Sequence, residues 1–234
     1  MTYVLIHGAW HGGWCWQRVR PLLRAAGNRV HSPSLTGLGE RKHLARREIN
    51  LDLHVADVIG LLEMEDLRDV VLVGHSYGGM VITGVADRLP KRIAKLVYLD
   101  AFVPENGKAA ADYIVPERAA GMRAAAQATG FIPPPPLALW GITDPKDAAW
   151  IKPREVPHPL NCMTQPMRFT DTAAWSRLPK TFIYCSQPAT GSFDSFAAKY
   201  RNDPAWRFHE LKTGHDAMVL KPKELANILL KELK

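Results

Sequence analysis

The run from Val70 to Gly79, VVLVGHSYGG, constrains this chain more than any other stretch. An apolar, β-branched segment leads straight into Gly-x-Ser-x-Gly and then into an apolar helical segment, so Ser76 must sit at the tip of a tight strand-to-helix turn. Such a turn forces the serine into a strained backbone conformation and leaves no room for side chains at Gly74 and Gly78. The hydroxyl is then exposed at the positive end of a helix whose unpaired N–H groups face it. The bare pattern also occurs in glycine-rich loops. The strand before it and the helix after it point instead to nucleophilic chemistry on an acyl group.

The rest of the chain supplies a matching frame. Short apolar runs at 2–6, 29–31, 70–74, 95–99, 181–185 and 206–211 alternate with helical patterns, which predicts a mostly parallel sheet of about six strands flanked by helices. The clearest helix runs from an N-cap at Asn50 to Met64, with Leu51, Val55, Val58, Ile59 and Leu62 on one face. A last helix opens at Pro222 and carries a stripe of Leu225, Ile228, Leu229 and Leu233. Between Pro104 and Leu178 the character changes: Pro133 to Pro136 form a proline run, further prolines follow and strand signals vanish. The expected organisation is a core of residues 1–103 and 179–234 interrupted by a largely helical cap, 104–178.

Composition removes several function classes. No apolar run approaches a membrane span, and nothing resembling an export signal precedes MTYVLIHG, so a soluble, cytoplasmic protein is expected. Cys15, Cys162 and Cys185 are odd in number and lack C-x-x-C spacing, which argues against a disulfide framework or a zinc site and fits a reducing compartment. The formal charge of +7 raises nucleic-acid binding, but the lysines and arginines are scattered, with Arg41, Lys42, Arg46 and Arg47 the densest cluster. The expected partner is a small-molecule ester rather than nucleic acid or membrane, with no cofactor or metal and with self-association into a homodimer left open.

A serine needs a base. Among nine histidines, His215 in TGHDAM has the right place, on the loop between the last strand and the last helix, at the carboxyl edge where the elbow lies. His75 is confined within the elbow, and His11, in HGAWHGGW, reads as a supporting residue. The loop after the first strand, His7 to Trp10, has the small residues of an oxyanion loop, and the amides of Ala9 and Tyr77 are the chosen donors, with His7 bracing the loop. Trp14 and Trp16 read as core. An acid must orient the imidazole. Asp100 ends a strand beside the nucleophile strand and is favoured, with Asp194 its rival, whereas Asp216 should point away from the His215 ring. Trp10, Phe102, Trp140 and Met218, with Tyr77, are candidates for an apolar substrate pocket, with plain packing an equal reading.

On VLIHGAWHGGWCW, PLLRAAGNRV, VVLVGHSYGG and GHDAM the chain resembles the α/β-hydrolase superfamily and, within it, the plant methyl esterase and hydroxynitrile lyase group, over almost all of the sequence outside the cap. The resemblance implies Ser76 as nucleophile, His215 as base and the Ala9 and Tyr77 amides as oxyanion hole. It departs at the acid, because Gln187 and Pro188 stand where an aspartate is usual. Lyases of the group place a threonine after the first histidine and a lysine after the catalytic one. Here those positions are Gly8 and Asp216, and a carboxylate beside departing cyanide is unfavourable. A serine esterase working through an acyl-enzyme is therefore expected, ahead of a lyase or other non-hydrolytic reaction on the same scaffold and of a ligand-binding protein without turnover.

Overall fold

Val70–His75 is buried at every position, as a strand covered on both faces must be, and the rest of the molecule is laid out around it. The computed structural model describes residues 1–232. The chain runs β1 (Thr2–Ile6), α1 (Arg20–Ala25), β2 (Arg29–His31), α2 (Leu51–Met64), β3 (Val70–His75), α3 (Gly78–Arg88) and β4 (Ile93–Leu99). There follow α4 (Pro116–Ala126), β5 (Phe131–Ile132), α5 (Pro145–Ile151), β6 (His158–Pro159), α6 (Leu160–Thr164) and α7 (Thr172–Arg177). The chain closes with β7 (Lys180–Cys185), α8 (Asp194–Tyr200), β8 (Trp206–Leu211), α9 (Ala217–Leu220) and α10 (Pro222–Lys231).

Six strands form one sheet in the order β2-β1-β3-β4-β7-β8, every neighbouring pair parallel. The order reverses between β1 and β3, and ligands of open α/β sheets bind beyond the carboxyl ends of the strands at such a switch point. The register brings those ends level: Ile6 lies beside Gly74, His75 beside Leu99, and Leu99 beside Ile183. The loops leaving Ile6, His75 and Leu99 therefore emerge together.

The predicted helices bury the faces their spacing defines. The Asn50 side chain accepts from Leu53 N–H at 3.0 Å and caps α2, which buries Leu51, Val55, Val58 and Leu62. A Cβ at Gly84 would lie 2.6 Å from Val55, so this glycine lets α3 and α2 approach closely. In α10, Leu225 and Leu229 are buried and Ile228 is partly buried; Leu233 lies outside the described residues.

The insertion between β4 and β7 is mainly helical, with one departure from expectation. Phe131–Ile132 and His158–Pro159 pair as a two-stranded antiparallel ribbon. Two residues per strand are too few to give a period-two pattern. The segment is tied to the core at both flanks. Arg47 donates to the carbonyls of Ala128 and Thr129 beyond α4. Buried Asp87 accepts from Thr170 N–H and Oγ1, each at 2.8 Å, and from Asp171 N–H at 2.9 Å. The basic cluster noted in the sequence is thus partly spent on internal contacts, with Arg41 also bonded to Asp57.

Candidate active site

Ser76 follows the last residue of β3 with φ of +53°, the left-handed conformation that the elbow demands. Its N–H donates to Leu99 O at 3.2 Å, and its carbonyl accepts from Phe102 N–H at 3.2 Å and Gly79 N–H at 3.0 Å. The strain is therefore held by bonds to the β4 end and the first turn of α3. A Cβ at Gly74 would lie 2.6 Å from Gly78 O, and one at Gly78 would lie 2.8 Å from Ile6 O. These two close approaches are the reason for glycines on either side of the serine.

His215 and Asp100 meet at the same edge. Nδ1 of His215 donates to Asp100 Oδ2 at 2.6 Å, which fixes the tautomer and leaves Nε2 as the acceptor. The other oxygen of Asp100 accepts from Cys185 N–H at 3.1 Å, and Asp100 itself has φ of +41° at the end of β4. Burial pushes its carboxyl pKa above the usual range, while the bonds from His215 and Cys185 oppose that shift. Asp194 is exposed at the start of α8 and accepts instead from the Tyr184 hydroxyl at 2.8 Å. Phe193 stacks on the His215 ring at 5.2 Å and 6°, and Trp140 lies against it at 4.9 Å.

Ser76, His215, Ala9 and Tyr77 line one cavity of about 30 Å³. Among the described residues, no backbone carbonyl accepts from the amide of Ala9 or of Tyr77. Ala9 and Tyr77 thus each bring an amide without a backbone acceptor to the cavity that Ser76 also lines. A Cβ at Gly8 would lie 2.9 Å from the Ser76 Cβ, so the loop after β1 passes as near to Ser76 as a glycine allows. Trp10, with φ of +63°, fastens this loop to the insertion: its Nε1–H donates to Ile132 O at 2.9 Å and its carbonyl accepts from Val156 N–H at 3.0 Å.

The remaining histidines near the site brace it. His7 accepts at Nε2 from Leu35 N–H (3.1 Å) and donates from Nδ1 to Gly8 O (2.8 Å); burial holds its pKa down at about 3. His75 donates from Nε2 to His215 O at 3.1 Å and is kept neutral by burial and the neighbouring His215. His11 donates from Nδ1 to Ala9 O at 2.8 Å and from Nε2 to Asp216 at 3.0 Å, so Asp216 faces His11. His54 accepts from the Tyr77 hydroxyl at 3.0 Å and fixes that ring beneath the site. His75, His215 and Asp216 also bring one potential metal-ligand atom each to within 4.8 Å of one another. The hydrogen bonds above already employ His75 Nε2 and His215 Nδ1.

Of the candidate pocket residues, Trp10, Phe102 and Trp140 line the cavity. Met218 does not: it is fully buried in α9 and packs in the hydrophobic core. Sequence reasoning passed over Ile114, Arg118 and Met122, which line the cavity from the insertion. Arg118 and Met122 stand one turn apart on α4, and that i, i+4 spacing was a usable signal for an inward helical face, whereas Ile114 is extended and precedes the helix.

Comparison with known proteins agrees with this fold. Residues 3–228 match the model of the alpha/beta hydrolase family. The chain is 41% identical over 239 residues to a carbendazim hydrolyzing esterase of Nocardioides sp. (strain SG-4G), covering 97% of this chain and 98% of the relative. Methylesterase 2 of Arabidopsis thaliana is 36% identical over 106 residues, 44% of this chain and 40% of that protein. An extracellular alpha/beta-hydrolase from a Paenibacillus species superposes with a TM-score of 0.86 at 25% identity, covering 99% of this chain and 98% of its own. Among the described residues, no helix is long and apolar enough to cross a membrane. An all-parallel six-stranded sheet with a serine elbow at its switch point, and a family match over nearly its whole length, establish that the chain belongs to the alpha/beta hydrolase family.

Proposed function

We propose that the protein is a carboxylic ester hydrolase that works through an acyl-enzyme on Ser76. The observation that carries this reading is the 2.6 Å bond between His215 Nδ1 and Asp100, which presents the opposite ring nitrogen in a cavity shared with Ser76. Ser76 Oγ attacks the scissile carbonyl carbon while His215 Nε2 takes its proton. The carbonyl oxygen becomes an oxyanion held by the Ala9 and Tyr77 amides, and Asp100 stabilises the imidazolium. Collapse breaks the bond to the alkoxy group, which leaves as an alcohol with the proton from His215. A water then attacks the acyl-serine, gives its proton to His215, and the acid departs as Ser76 regains its hydroxyl.

Residues 104–178 act in this reading as the cap. The cavity of about 30 Å³ is well below the roughly 300 Å³ or more of ordinary ligand sites, so cap side chains must move aside to admit an ester. Carbendazim, named in the 41% identical relative, is the first ester to try. The buried free thiols of Cys15, Cys162 and Cys185 support a reducing, cytoplasmic setting.

The test is covalent labelling. A fluorophosphonate should modify Ser76, located by mass spectrometry, and Ser76→Ala should lower ester turnover by about 10⁴-fold or more. An active preparation in which Ser76 stays unlabelled would remove the serine from the mechanism.

A further inference from the structure

The cavity lining is unbalanced in its hydrogen-bonding groups. Most of its wall is apolar or aromatic, yet the half-buried guanidinium of Arg118, from the first turn of α4, forms part of it. Arg118 donates from Nη1 to Ser192 Oγ at 3.2 Å and lies over the Trp140 ring at 5.7 Å. A guanidinium has five N–H donors, so these contacts leave most of them unused. Burial alone lowers its pKa; no carboxylate among the described residues offsets that cost. Trp140 lines the same cavity, and its buried Nε1–H also lacks an acceptor. A guanidinium with donors to spare and a tryptophan whose N–H lacks an acceptor therefore belong to the lining of a mostly apolar site.

Their position is as informative as their chemistry. Arg118, Met122 and Trp10 line both the catalytic cavity and an outer groove of about 320 Å³. They form the partition between the two, so an ester arriving from the groove meets the guanidinium before it meets Ser76. We propose that Arg118, with the Trp140 N–H, is an anion-recognising subsite that selects esters carrying a carboxylate on an apolar or aromatic acyl part. The subsite rests on the esterase reading above. Its complement is the half-ester of an aromatic dicarboxylic acid: the ring meets the aromatic walls, the free carboxylate meets Arg118, and the ester group reaches Ser76.

Monomethyl and dimethyl terephthalate share ring and leaving alcohol and differ in one negative charge. The wild-type protein should hydrolyse the monoester with kcat/KM about tenfold or more above that of the diester, the range of one charge-assisted hydrogen bond. Arg118→Gln should bring that ratio close to one, and Arg118→Lys should keep part of it. A purely structural role would lower both esters together and leave the ratio intact, which overturns the proposal, as does a wild-type ratio near one. Binding to Ser76→Ala protein, followed by isothermal titration calorimetry, provides a measurement without turnover. Tighter binding of the monoester by a similar factor is expected, and equal binding of the two esters refutes the subsite. Loss of Ser76-dependent hydrolysis of every ester would instead count against the esterase reading, with the binding comparison still deciding on Arg118.

Discussion

His11 Nε2 donates to Asp216 Oδ2 at 3.0 Å in an ion pair that is almost wholly excluded from solvent. The other nitrogen of His11 donates to Ala9 O, so both ring nitrogens face acceptors and the ring is held as an imidazolium. The pair joins the loop carrying Ala9 to the residue after His215. Burial pulls the His11 pKa down, but the charge and hydrogen bond of Asp216 outweigh it and raise the pKa from 6.5 to about 9. For Asp216, burial acts upward and His11 outweighs it, giving about 2.

The sign of the resulting pH dependence is fixed by these directions. A histidine whose folded pKa is raised stabilises fully below about 6.5 and loses that stability as pH climbs through about 9. The shift corresponds to a contribution on the order of 3 kcal/mol. Buried His7, His54, His75 and His158, with lowered pKa values, act oppositely, and stability falls as pH drops below 6.5. Tm measured by calorimetry should therefore peak near pH 6.5 and decline by roughly 6 to 12 °C once His11 has lost its proton. Much of the decline should be missing in His11→Gln. An equally steep decline in that variant would assign the alkaline loss to other groups.

Asp100 and Asp194 separate cleanly. Asp100→Asn keeps the shape of the side chain but removes the charge opposite His215 and can favour the wrong tautomer, a change worth up to about 10⁴-fold in kcat in a serine triad. Asp194→Asn alters only an exposed contact, in which the amide oxygen can still accept from Tyr184, and should cost less than roughly tenfold. Steady-state kinetics on both folded variants gives the ranking, and the reverse order would make Asp100 a structural residue.

Strong local signals in the sequence were enough for the six strands and for the placement of Ser76, His215 and Asp100 at one sheet edge. Runs such as VVLVGH are long enough to show their burial, and chain order places each loop at one sheet edge. The ribbon of Phe131–Ile132 with His158–Pro159 had no such signal, because its pairing partners lie far apart and each strand is two residues long. Met218 is the opposite case: a pocket candidate for which packing was an equal reading, it is sent to the core by the turn into α9. The His11–Asp216 pair was hidden for a related reason. It spans 205 positions, and neither residue's type or neighbours reveal that the other is its partner.

The same substitution should act in opposite ways at two glycines. A Cβ at Gly8 would come within 2.9 Å of both the Ser76 Cβ and the His75 Nδ1, and neither can retreat, because the elbow backbone and the His75–His215 bond hold them. Gly8→Ala must therefore push the Ala9 amide away from the nucleophile. Loss of one oxyanion donor typically costs about 10²- to 10³-fold in kcat, and a fall of that size is expected, accompanied by slower fluorophosphonate labelling of Ser76. Gly60 lies within α2 with open space where its Cβ would be. Gly60→Ala should leave kcat unchanged and raise stability by roughly 0.5 to 1 kcal/mol in denaturant unfolding, because alanine loses less backbone entropy than glycine in a helix. Full activity in Gly8→Ala would show that the loop after β1 does not position the oxyanion donor.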